Sequence, residues 1–350
     1  MKAIGIVNYL PSENPLAFVD FETDKSTPTG RDLLVEIKAI AVNPIDTKVR
    51  AGQRGARATE NPPRVIGWDA SGIVEAVGPD VTLFKPGDEV YYAGDITRPG
   101  CNAEFQLVDE RIVGNKPTTL SHNEAAALPL TTITAYESFF DRLGLDRDGG
   151  NQGEYLLIIG AGGGVGSIGI QLAKHAGLKV IATASRPETV QWVSELGADH
   201  VINHREDMPA QVRQLGIEYV DHIALFNDVT HWDACVELIR PQGAIVTIDD
   251  ANAPMPMAGM KTKAASLHWE FMFGRSMHQT TDMIEQGNLL SWVAAQVDAG
   301  KLKTTVSEVI SPINATNLRA VHRRIETGQV KGKIVLSGFD TGTNYNCFLI

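Results

Sequence analysis

A doubly wound α/β unit inserted into a β-rich unit is the fold this sequence predicts, and three features predict it. Residues 155–173 run from an apolar stretch through a glycine cluster into a helix pattern. Apolar runs near 155, 180, 200, 220, 244 and 265 alternate with helical stretches, the rhythm of a parallel sheet covered on both faces. The first 115 residues differ, with short alternating segments broken by turn residues, the pattern of a barrel-like β unit. A chain of 350 residues is also longer than one core usually supports, so two domains are expected.

In the first unit, strands are predicted at Met1 to Val7, Leu33 to Val42, Ala70 to Val77, Asp88 to Tyr92 and Ala103 to Val108. Ser121-His122-Asn123-Glu124 then reads as a capping box, a hydroxyl and a carboxylate that satisfy each other's backbone N–H groups at a helix start. Tyr155 to Ile159 has the length and all-round hydrophobicity of a strand buried on both faces. Val165, Ile168, Gly169, Leu172, Ala173 and Ala176 keep a helical stripe toward the sheet, Gly177 stands where that helix ends, and Leu178 to Thr183 is the next strand. After about residue 275 the character is mixed again, with helices near 289–299 and 315–327 and a last strand at Lys333 to Leu336. Asn314 caps the second of these helices and Gly328 ends it. The simplest arrangement returns this tail to the first unit, giving residues 1–127 plus 275–350, with 341–350 a flexible tail, around an inserted unit of 128–274.

The glycine cluster carries chemistry. Gly160, Gly163 and Gly166 are spaced to permit a sharp turn, to let backbone approach a phosphate and to let the helix lie close to its strand. With Gly164 and Val165 they open the helix, whose unpaired N–H groups and positive dipole end would face an anion. Strand, glycines, helix and second strand within about 30 residues are the context in which this pattern means a dinucleotide. An NAD site normally puts an acid at the end of the second strand to hold the ribose hydroxyls. Here that place reads Thr183-Ala184-Ser185-Arg186, a small hydroxyl followed by a guanidinium, which suits the 2′-phosphate of NADP(H). The same pair also reads as a helix cap and a solvated charge. His204, at the end of the third strand, would complete the phosphate pocket or stand as a surface histidine.

Composition removes several classes of function. A net charge of −11 with no basic block argues against nucleic acid and anionic membranes, so the partner should be a small molecule. No charged start leads into an apolar stretch and no segment has about 18 uninterrupted apolar residues, so a cytoplasmic protein is expected. The three cysteines, Cys101, Cys235 and Cys347, lie far apart, which opposes a disulfide framework or a cysteine zinc site. The ending Cys347-Phe348-Leu349-Ile350 has the outline of a prenylation signal, but the tail before it lacks basic residues and the final isoleucine is unusual.

Several stretches together resemble the medium-chain dehydrogenase/reductase superfamily, and within it the zinc-free quinone oxidoreductase branch, including proteins labelled zinc-type alcohol dehydrogenase-like. They are Val42-Asn43-Pro44-Ile45-Asp46, Gly67-Trp68-Asp69-Ala70-Ser71-Gly72, Pro86-Gly87-Asp88-Glu89-Val90, Leu130 to Tyr136, the glycine cluster, and Val201-Ile202-Asn203-His204. The resemblance covers roughly residues 1–339 and implies a Rossmann sheet inserted into a GroES-like catalytic domain. In the zinc branch a cysteine near Ile40 to Asn43 and a histidine at the position of Trp68 would be expected; both are absent, and Asp69 alone cannot hold a tetrahedral ion. The implied reaction is therefore hydride transfer from NADPH to a quinone or an α,β-unsaturated carbonyl, acceptors that need no Lewis acid. The alternatives are a zinc-dependent alcohol dehydrogenase and a non-catalytic NADPH-binding sensor or structural protein.

By the same resemblance Asn43 and Thr134 lie beside the nicotinamide and its ribose, Asp46 orients that loop, and Lys333 reaches the cofactor from the C-terminal segment. Lys48 stands where many relatives have an aromatic residue, and its ammonium could donate a proton or steady an enolate. Trp68 could supply a flat wall for a conjugated ring, or be a core residue. The run Ser266 to Phe273 is too aromatic for an exposed edge strand; by the resemblance it pairs across a dimer axis, so a homodimer is expected, and the other reading is a loop folding over the cleft with some of these side chains lining the substrate pocket.

Overall fold

The computed structural model describes residues 1–52, 61–251 and 254–339, and the Cys347 ending lies outside them. The chain divides into two compact units, one of Met1–Leu130, Phe273–Ala299 and Val306–Ile350, the other of Thr131–Met272 and Gly300–Thr305.

The second unit contains six parallel strands in the order His200–Ile202, Lys179–Thr183, Tyr155–Ile159, Val220–Leu225, Ile239–Thr247, Ser266–Trp269. Parallel strands need crossovers, and helices such as Gly164–His175 and Pro187–Glu195 supply them. Leu156 to Ile159 are buried to the last residue, as a central strand covered on both faces must be. Chain direction across the sheet reverses between Tyr155–Ile159 and Val220–Leu225, and the crevice beyond the carboxyl ends at such a reversal is where doubly wound sheets bind ligands. Edge strand Ser266–Trp269 leaves Trp269 53% exposed, whereas Met272 and Phe273, in the same aromatic run, are buried.

The first unit is built on a seven-stranded sheet whose spine is the ten-residue strand Asp32–Ala41. Ala70–Val77 and Lys333–Ser337 pair with it antiparallel. The register sets Val335 opposite Ala41 and Ala70 opposite Ile40, so three segments far apart in sequence meet at one strand end. Ser121 caps His122–Ala125 through the reciprocal box with Glu124, and Asn314 caps Ala315–Glu326. Asn43 precedes a helix, Pro44–Arg50, which proline can open because a first helical position needs no N–H. Strands Val19–Glu22 and Val306–Ile310 are not among those the sequence predicts: Val-Asp-Phe-Glu alternates but spans only four residues, and Val-Ser-Glu-Val-Ile does not alternate.

Candidate functional site

In the first unit the sheet register assembles a buried polar cluster. Lys333 follows a glycine and opens an apolar strand, and a lysine so placed must find partners or leave the core. Its ammonium donates to the Val42 carbonyl at 3.1 Å, to Asn43 Oδ1, and to Asp69 Oδ2 at 2.8 Å. Asn43 Nδ2 donates to the same Asp69 oxygen at 2.8 Å and to the Trp68 carbonyl at 3.2 Å. Asp69 Oδ1 accepts the Leu130 N–H at 2.8 Å. None of Lys333, Asn43 and Asp69 is more than 3% exposed. Burial pushes the Asp69 carboxyl up, opposed by the Lys333 charge and the Leu130 and Asn43 hydrogen bonds.

Asp46 sits one helical turn beyond Asn43 and accepts the Asn43 backbone N–H on Oδ2. Its other oxygen is buried with no hydrogen-bond partner among the described residues. Desolvation pushes its carboxyl up to about 7, against the Asn43 hydrogen bond and the Lys333 charge. Lys48, on the same helix, stays half-buried.

Three expectations change here. Lys333 gives its three protons to protein acceptors, so its ammonium does not reach a cofactor. Both Nδ2 hydrogens of Asn43 are donated inside the cluster and its Oδ1 accepts from Lys333, which leaves the amide no proton to donate to a ribose. Trp68 is fully buried, donates Nε1–H to the Asp95 carbonyl at 3.3 Å and meets the Phe273 ring edge-on at 6.0 Å. It has no face to offer a substrate and is a core anchor, whose burial as a large aromatic stabilises the unit by about 3–5 kcal/mol relative to alanine.

These residues do not fit a zinc ion. Both Asp69 oxygens are occupied by an ammonium, an amide and a backbone N–H, and indole and amide stand where thiolate and imidazole would be needed. Cys101 Sγ is nearby, donating to the Asp69 carbonyl at 3.4 Å, and burial, with the Asp46 and Asp69 carboxylates, pushes its thiol up. Among the described residues no group of three or more His, Cys, Asp or Glu could hold a metal ion.

The second unit contributes the glycine turn. Gly160 has φ +83°, and a Cβ there would lie 3.1 Å from the Phe226 backbone, across the reversal of strand order. At Gly166 a Cβ would meet Ala161 Cα at 2.4 Å, so only glycine lets the helix lie this close to its strand. Gly163 is different: φ is −76° and its nearest neighbour would be an ordinary 3.5 Å away. Gly163 is the N-cap of Gly164–His175 and provides no side-chain cap, so Gly164, Val165 and Gly166 form an uncapped first turn. Thr134 is buried in this unit, near the end of helix Pro129–Tyr136.

At the ends of the neighbouring strands, Arg186 rather than Ser185 is the N-cap of Pro187–Glu195. Its guanidinium donates to Thr189 Oγ1 at 3.2 Å and pairs with Glu188 at 3.2 Å. Ser185 is half-buried beside it. The His204 ring meets the His231 ring edge-on at 5.8 Å. Desolvation lowers the His204 pKa from its usual value, helped by His231, Arg205 and Arg186 and opposed by Asp228.

The sequence singled out neither His231 nor the part played by Asp69. The second had a signal: an acid between tryptophan and an apolar strand, and a lysine opening another apolar strand, each need a buried counter-charge. His231 had none, because only the fold brings it to His204.

Two family profiles match the chain. A family profile described as an alcohol dehydrogenase GroES-like domain matches residues 29–118, and one described as zinc-binding dehydrogenase matches 164–286. Neither Asn43, Trp68, Asp69 nor Lys333 falls in the second stretch. The zinc-type alcohol dehydrogenase-like protein SAS2087 of Staphylococcus aureus (strain MSSA476) is 43% identical over 96% of this chain and 100% of its own. The 2-methylene-furan-3-one reductase of Solanum lycopersicum is 31% identical over 95% of this chain and 76% of its own. A crystal structure from Rhizobium etli CFN 42, of a protein provisionally named a zinc-dependent alcohol dehydrogenase, superposes with a TM-score of 0.92 at 50% identity, over 97% of this chain and 98% of that one.

Proposed function

The chain belongs to the medium-chain dehydrogenase/reductase superfamily as an oxidoreductase, and we propose that it is an NADPH-dependent reductase of quinones or α,β-unsaturated carbonyls that works without zinc. One observation carries the reading. The carboxylate that a metal would need, Asp69, is saturated by the Lys333 ammonium, the Asn43 amide and the Leu130 N–H. Alcohol oxidation then lacks its Lewis acid, while a quinone or an enone is electrophilic enough to accept hydride without one. The tomato relative's name, a reductase of a methylene-furanone, supports a conjugated carbonyl as acceptor.

The nicotinamide would supply the hydride, and the protein orients the reactants and excludes water. Gly160, Gly163, Gly164, Val165 and Gly166 would hold the pyrophosphate on the uncapped helix start. Gly163 supports this, because neither its φ nor a protein neighbour demands glycine there, and the approach of a phosphate does. Ser185, Arg186 and His204 would take the 2′-phosphate, since a carboxylate that would repel it is missing from the second strand's end. Thr134 would lie at the nicotinamide, and Lys48, half-buried on the helix that Asp46 secures, would give the proton to the product oxyanion. Asn43 acts by fixing the loop. The partly exposed edge strand with Trp269 supports a homodimer.

Stopped-flow mixing of enzyme and NADPH with a panel of quinones and enones tests the reaction. The nicotinamide absorbance should decay with at least one conjugated acceptor and persist with simple aldehydes. Turnover of simple alcohols by protein that retains stoichiometric zinc after dialysis would overturn the assignment.

A further inference from the structure

His231 is the titratable group at the glycine crevice to which nothing above assigns a role. It follows Val220–Leu225, and His204 follows His200–Ile202, with two other strands between those two. Strands in a sheet lie about 4.8 Å apart, so these strand ends are separated by about 14 Å. The imidazole centroids are nonetheless only 5.8 Å apart. All the strands are parallel, so both loops leave the same edge of the sheet. The pair therefore closes over the carboxyl ends of Tyr155–Ile159 and Lys179–Thr183, which lead into Gly160 and into Ser185 and Arg186.

The charges around this pair favour a neutral ring until an anion arrives. Arg186, itself paired with Glu188, and Arg205 are cationic neighbours of His204, His231 is the facing ring, and Asp228 is the opposing carboxylate. Desolvation adds to the cationic neighbours and disfavours an imidazolium in the free protein. A dianion set among these groups reverses the balance.

We propose that His204, faced by His231, is the proton acceptor of a clamp that selects the 2′-phosphate of NADP(H), the bound phosphate drawing one proton from solvent onto His204. The inference rests on the reading of the crevice as an NADP(H) site. Neutral His204, a phosphate dianion and one proton give a complex with His204 as its imidazolium, and no other bond forms or breaks. The second phosphate proton is lost near pH ~6, so above pH ~7 any uptake belongs to the protein. NADH, lacking that phosphate, takes up no corresponding proton.

Calorimetry of NADPH and NADH binding at about pH 7.5, in buffers of different ionisation enthalpy, reads this directly. NADPH should take up between about half and one proton more than NADH. Its dissociation constant should rise by up to about tenfold per pH unit above pH ~7 while that of NADH stays flat, the limit for one linked proton. His231→Gln and His204→Gln should each reduce the uptake, flatten the pH dependence and weaken NADPH several-fold at pH ~7 without weakening NADH. If NADPH binds more tightly than NADH with the same proton count and the same pH dependence, the clamp is wrong and the NADP(H) reading stands. If NADPH is not preferred at any pH, both fall. The wild-type comparison decides even where a variant fails to fold.

Discussion

The buried cluster of the first unit and the glycine crevice of the second both gather charge, but they dispose of it in opposite ways. In the cluster, Lys333 and Asn43 meet protein partners on every polar arm and both Asp69 oxygens are taken, at 3% exposure or less. At the crevice the helix Gly164–His175 starts uncapped, Gly163 answers to no protein neighbour, and the imidazoles of His204 and His231 are half-buried. A charge compensated inside the fold positions a loop, whereas helix N–H groups left without a side-chain cap are open to the anion proposed for this crevice. The same chain thus shows how to tell a scaffold from a binding surface: by counting which polar arms the protein has already satisfied.

The comparison breaks most readily at Lys333. Lys333→Met should destabilise the protein by about 3–5 kcal/mol in urea unfolding, because it strands the Asp69 charge in the core. The double change Lys333→Met with Asp69→Asn should recover part of that loss, and a single variant as stable as wild type would mean that the cluster is not closed.

Asp46 sharpens the same point through pH. Its carboxyl, at about 7 in the fold against 3.8 ordinarily, binds its proton more tightly folded than unfolded. That contribution is complete below the ordinary value and is lost as pH rises through about 7. Asp46→Asn removes the dependence, so it should be on the order of 2–4 kcal/mol more stable relative to wild type at pH 8.5 than at pH 4 in parallel unfolding curves. Equal differences at the two pH values would show that Asp46 stays ionised.

At the crevice, Gly166→Ala puts a methyl 2.4 Å from Ala161 Cα and forces the helix away from its strand. A loss of about 1–3 kcal/mol in stability is expected, together with weaker binding of NADPH and NADH alike in fluorescence titration. Arg186→Ala has the smallest effect, about tenfold on NADPH, or roughly 1.4 kcal/mol, and less than about twofold on NADH. Equal losses for both nucleotides would remove Arg186 from the phosphate pocket.

Much of the fold was legible in the chain. The strand, glycine turn, helix and second strand of residues 155–183 appear as read, with Gly177 at φ +85° ending the helix. Ser121 and Asn314 cap the helices assigned to them. The Asn43 amide, expected beside the nicotinamide, is turned into the buried cluster, because the ammonium that claims it comes from a residue 290 positions away. Trp68 could be read equally as a wall or a core residue, and the side chain that decided it, Phe273, lies over two hundred positions downstream.

The sequence alone determined the features that depend on neighbours along the chain: hydrophobic period, caps, the glycines that a sharp turn and close helix packing require, and the missing acid after the second strand. Tertiary structure decided which charges were neutralised and by whom, joining Lys333 to Asp69 and His231 to His204. The physical reason is that propensity and periodicity act over a few residues, while the compensation of a buried charge is settled by strand register, which brings together residues that the chain keeps apart.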